Sequence, residues 1–133
     1  LDNILSIYRE NFIKIPFSTN IKEITEMYLH HYELMKSYSV TYKKNLYIYN
    51  YDDVVINPSF EIKKITDWLG WEWTDEYTEP QKNKRSVFTA SSEQVRNPIH
   101  NKSLGGWKKY VDLLEPALEL ISHHGDLKKF ITK

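Results

Sequence analysis

A chain of 133 residues, 41% of them apolar and 27% charged, has material for one hydrophobic core, and no apolar run approaches the roughly 20 residues that span a bilayer. Eighteen basic against eighteen acidic side chains give a formal net charge of zero, which argues against a nucleic-acid footprint. The absence of cysteine removes disulfides, thiolate nucleophiles, iron–sulfur clusters and thiolate zinc sites together, and fits a reducing, cytoplasmic setting.

The chain opens at Leu1 with neither methionine nor a signal-like leader, and reads as a piece of something longer. Asp2 and Asn3 are good N-cap types for a first helix carrying Ile4, Ile7 or Tyr8, and Phe12 at helical spacing. After a turn through Pro16, Thr19 or Asn20 can cap a second helix. There Ile21, Ile24, Tyr28, His31, Met35 and Tyr38 alternate in steps of three and four, which predicts one face of a long amphipathic helix. Leu46 to Tyr51 (LYIYNY) is short, aromatic and β-branched, as suits a strand. Asn57-Pro58 then reads as an N-cap with proline at the first helical position, and Phe60, Ile62, Ile65, Trp68 and Leu69 as the apolar face of that helix. Gly70 stops it. Trp71 to Arg85 is irregular, Val87 to Thr89 suits a short strand, and Ser91 to Gly106 is the least regular stretch. A last helical zone starts near Leu104 or Trp107, continues past Pro116 through Leu118 and Ile121, and ends at Gly125.

Taken singly, the chemistry-bearing residues point weakly. His30-His31 and His123-His124 are adjacent on helices, about 100° apart, so neither pair chelates as an i, i+4 pair would. His31 reads as a packing residue and Asp52-Asp53 as a helix or turn cap. There is no GxxxxGK[ST] or GxGxxG, and Gly105-Gly106 is too short for a phosphate-cradling loop. Phosphate-binding logic is more productive. Ser6 sits one turn into a helix, near free N–H groups and the positive end of the dipole. Ser91 and Ser92 lie in an irregular stretch with Lys102 nearby.

Three blocks then carry a resemblance. YNYDDVVINPSFEIKKITDWLGWEW, Tyr49 to Trp73, resembles the sulfotransferase segment written YEDL, a short gap, NP or DP, an amphipathic helix, then FLG. VFTASSEQVRNPIHNKSLGGWKKY, Val87 to Tyr110, resembles the TAS-x-x-QVR-x-P…S-x-G-x-W-x-x-Y block of bacterial sulfotransferases often fused to tetratricopeptide repeats; tyrosylprotein sulfotransferases carry a related block. LDNILSIYRENF resembles the family segment just after the arginine of the 3′-phosphate motif. The blocks occur in family order and cover nearly the whole chain.

The resemblance implies an α/β class: the C-terminal part of a P-loop-like fold that binds 3′-phosphoadenosine 5′-phosphosulfate (PAPS), mainly helical with one or two short strands. It implies one N-terminally truncated domain over residues 1–133, and sulfuryl transfer in line to a hydroxyl or amine without a metal. By position, Ser6 matches the serine that hydrogen-bonds the 3′-phosphate, Tyr51 the strand-end tyrosine that contacts adenine, and Ser91 the serine beside the transferring sulfuryl group. Lys102 lies where related families place basic residues for the 3′-phosphate. The chain departs from the pattern at Asp52, which replaces the glutamate of YEDL, and at Gly106, where the family has a basic residue before the tryptophan and Lys108 after it is the substitute. The family's 5′-phosphosulfate loop, general base and 3′-phosphate arginine all lie upstream of Leu1, so the expectation is a chain inactive by itself. A strand at Leu46 to Tyr51 without parallel neighbours would offer an edge for self-association. The alternative reading is a non-catalytic helical module that binds a partner through its aromatic-rich surface.

Overall fold

A carboxylate in the first turn and an arginine in the last match the dipole of the first helix, and its apolar residues Ile4 and Leu5 are buried together. This helix, α1 (Asp2–Arg9), is followed in the computed structural model by α2 (Ile21–Thr41), α3 (Tyr51–Ile56), α4 (Pro58–Leu69) and α5 (Glu115–Ser122). The structure describes residues 1–10, 12, 14–83, 85–86 and 96–131. The described chain divides into two compact units, one formed by Leu1–Thr41 with Ser103–Lys133 and the other by Tyr42–Lys102.

In the first unit Asn20 caps α2, its side-chain oxygen accepting from the N–H groups of Lys22 at 2.9 Å and Glu23 at 3.3 Å. The core is Ile4 and Leu5 of α1, Ile21 and Ile24 of α2, Leu114, Ala117 and Ile121 on and before α5, and Leu127. Thr25 joins it with its hydroxyl satisfied, donating to the Ile21 carbonyl at 2.7 Å. Tyr28, Leu29, Tyr32 and Trp107 pack around this centre.

The expected face of α2 is corrected in its second half. Ile21, Ile24 and Tyr28 do face the core, but His31 and Tyr38 are exposed, and Tyr32 takes the inward position in place of His31. A four-residue step rotates the stripe by about 40° and a three-residue step by about 60° the other way, so from Tyr28 the step to Tyr32 stays on the face. α1 also differs: Leu1 holds the N-cap position, Asp2 falls in the first turn, and Tyr8 and Phe12 are exposed.

In the second unit α3 and α4 pack together, burying Val54, Val55 and Thr66. Asn57 and Pro58 open α4 as the sequence predicts, and Gly70 closes it at φ 70°, a left-handed conformation that costs glycine nothing. The Gly70 N–H donates to the Asp67 carbonyl at 3.1 Å and the Trp71 N–H to the Thr66 carbonyl at 2.9 Å, the paired closure of a Schellman cap. Phe60, Trp68 and Leu69, expected on the apolar face, are exposed, while Ile62 and Ile65 are half-buried. Short 3-10 turns follow at Asp75–Thr78 and Pro80–Lys82.

The expected α/β class is overturned: the described residues form helices and contain no strand. Leu46 to Asn50 has no regular structure, and Tyr51 opens a helix instead of closing a strand. An isolated strand leaves its backbone donors and acceptors unpaired, whereas Asn50 accepts from the Asp52 N–H at 3.2 Å and places Asp52 and Asp53 in the first turn of α3. The strand edge expected to drive self-association is therefore absent among the described residues. The second short strand, at Val87 to Thr89, lies outside them.

Candidate functional site

The firmest long-range polar feature of the first unit starts at Asp2. Its Oδ2 accepts from the Gly105 N–H at 2.7 Å and its Oδ1 from the Trp107 N–H at 2.8 Å, joining segments more than a hundred residues apart in the chain. Gly105 stands at φ 70°, which lets the Gly-Gly-Trp turn aim these two donors at one anion where the 3-10 segment Gly106–Tyr110 begins. Both bonds are part-buried and charge-assisted, so they hold more strongly than neutral ones. The aliphatic stem of Lys108 folds back over this turn, its Cε 4.0 Å from where a Cβ on Gly105 would stand.

The expected donor-contact residues are divided between the two units. Ser6 is one turn beyond Asp2 on the same side of α1, exposed, with its carbonyl accepting the Glu10 N–H at 3.1 Å. Lys102 is exposed and stands three residues before Gly105, in the second unit. Tyr51 also belongs to the second unit, 66% exposed at the first position of α3. Ser91, the residue expected beside the transferring group, lies outside the described residues, as does Ser92.

Sequence rules missed two clusters. Asp2 carries the signature of a local N-cap and nothing in the string pairs it with Gly105. The second cluster joins α2 to the turn after α5. His124 Nε2 lies 2.9 Å from Glu33 Oε1, its ring meets Tyr32 edge to face at 5.4 Å, and Lys36 Nζ lies 2.5 Å from Asp126 Oδ2. The hydrogen bond and charge of Asp126 raise the Lys36 ammonium above its ordinary pKa, and Lys36 lowers the Asp126 carboxyl correspondingly. No three His, Asp or Glu side chains among the described residues converge closely enough to hold a metal ion.

No protein-family model matches this chain. An uncharacterized protein of Aquifex aeolicus (strain VF5) is similar, 28% identical over 125 residues, which are 91% of this chain and 16% of that relative. The chain thus spans about one sixth of the length of the curated relative it matches. No solved structure matches.

Proposed function

We propose that this helical chain supplies part of the donor-binding surface of a larger protein that moves the sulfuryl group of PAPS to a hydroxyl or amine acceptor. The observation that carries the reading is the Asp2 lock, because it ties the N-terminal resemblance block, with Ser6, to the Ser-Leu-Gly-Gly-Trp end of the Val87–Tyr110 block. Three sequence blocks in family order support it from the other side. In this reading Ser6 and Lys102 receive the 3′-phosphate, Tyr51 contacts the adenine, and Ser91 donates to the equatorial oxygens of the transferring group, where charge develops. A cytoplasmic setting belongs to the same proposal.

The test is calorimetric titration of the intact protein with 3′,5′-adenosine bisphosphate, paired with transfer rates from PAPS. Saturable binding is expected, and Ser91→Ala should slow transfer about 10²–10³-fold while binding changes little. Equal small effects on both would remove Ser91 from that role. The 133-residue chain alone should bind weakly or not at all; tight binding would show a more complete site than the upstream motifs allow.

A second reading, a partner-binding helical module, is favoured by the exposed aromatic side chains of the second unit, among them Tyr49, Tyr51, Phe60, Trp68 and Trp71. Absence of bisphosphate binding by the intact protein would select it.

A further inference from the structure

The corner that follows α4 holds rings and carboxylates on a fixed backbone. Trp71 is tied down by the helix closure, and Trp73 Nε1 donates to Asp75 Oδ1 at 3.1 Å. Tyr77 sits between the two indoles, 6.2 Å from Trp71 with planes tilted by 36° and 6.1 Å from Trp73 at 70°. Trp71 remains 54% exposed and Tyr77 38% exposed.

Along the chain, the charge flanking these rings has one sign. Between Lys64 and Lys82 the chain carries Asp67, Glu72, Asp75, Glu76 and Glu79 and no basic residue. Asp67 pairs with Lys63 and Glu79 with Lys82, while Asp75 is engaged by Trp73. Glu72 and Glu76 are exposed and have no ion pair among the described residues. One turn into α4 the same unit shows the arrangement completed. There Lys64 Nζ lies 5.1 Å over the Phe60 ring and 2.6 Å from Glu61 Oε2, a cation held between a π face and a carboxylate. The Trp71–Tyr77 corner has the rings and the carboxylates and, among the described residues, no cation of its own.

We infer that this corner docks a lysine or arginine side chain presented by a basic peptide segment of a partner. In this proposal the exposed rings of Trp71 and Tyr77 supply the π surface, and Glu72 and Glu76, their exposed neighbours in the chain, supply the counter-charge. An anionic ligand is repelled here; a neutral sugar would stack on the rings and donate hydroxyls to the carboxylates without drawing on their charge, so the salt dependence of binding separates it from a cation. The inference stands apart from the sulfuryl-transfer reading, because the corner contains none of Ser6, Tyr51, Ser91 or Lys102.

The probe is a hexalysine peptide titrated into the 133-residue chain, followed by tryptophan fluorescence and calorimetry, with cellohexaose as the neutral comparison. Binding that weakens as salt is raised is expected. Trp71→Ala should weaken it about two- to fivefold, the value of one exposed cation–π contact, and Trp71→Leu should do the same while keeping apolar bulk. Glu72→Gln with Glu76→Gln should weaken it further and flatten its salt dependence. The inference is overturned if hexalysine does not bind, if binding ignores both Trp71 variants and so reflects charge alone, or if cellohexaose binds more tightly.

Discussion

At Asp2 one carboxylate serves two backbone donors of a turn that begins over a hundred residues later. Truncating it in Asp2→Ala strands two part-buried N–H groups, a loss of about 2–4 kcal/mol, which is a large share of the roughly 5–15 kcal/mol that holds a domain together. Urea unfolding should register that loss, and Asp2→Asn, which keeps one acceptor oxygen, should lose roughly half as much. A full-stability Asp2→Ala protein would mean that water replaces the carboxylate. The chemistry of Asp2 was visible in the string, since a short acidic side chain near a helix start is a ready acceptor for N–H groups. Its partners were not, because capping rules read a few residues along the chain and Gly105 lies far outside that window. Tyr51 shows the opposite failure: its local sequence suggested a strand end, and the neighbouring Asn50 cap with Asp52 and Asp53 behind it made a helix start.

At the scale of elements, α2 is held to the chain after α5 by the buried stripe of Ile21, Ile24 and Ile121 and by a charged fastening outside it. Asp126, its pKa lowered by Lys36, contributes stability that is present above the ordinary carboxylate range and lost as the pH falls through and below it. Lys36, its pKa raised by Asp126, contributes stability that is present below the ordinary lysine range and lost as the pH rises through and above it. The pair therefore works across the whole neutral interval and fails at both extremes. Because it is solvent-exposed, its effect is small and screened by salt. Lys36→Met should remove the acid-side and alkaline-side parts of the unfolding midpoint that depend on this pair, with less effect in about 1 M salt. The same pH profile in wild type and variant would show that the pair does nothing for the fold. The termini of α4 were legible beforehand at Asn57, Pro58 and Gly70, since proline and glycine fix backbone angles wherever they stand.

For the molecule as a whole, burial is concentrated in the first unit, where Ile4, Ile24, Leu114 and Ala117 are almost wholly withdrawn from solvent. Among the described residues, amide hydrogen exchange should accordingly be slowest in the first half of α2 and in α5, and fast from Leu46 to Asn50, where the chain has no regular structure. Uniform protection across both units would contradict that distribution. No helix among the described residues is long and apolar enough to cross a membrane. The sequence by itself determined where helices begin and stop around Asn57, Pro58 and Gly70, which residues are apolar, the absence of thiol chemistry and the balance of charge, because these depend on residue type and near neighbours. Tertiary structure alone decided that Leu46 to Asn50 would have no strand to pair with among the described residues, that Tyr32 and not His31 would face inward, and that Asp2 would reach the Gly-Gly-Trp turn. Each of those outcomes rests on whether a distant partner is present to receive a hydrogen bond or cover an apolar face, and distance in space is not written in the order of residues.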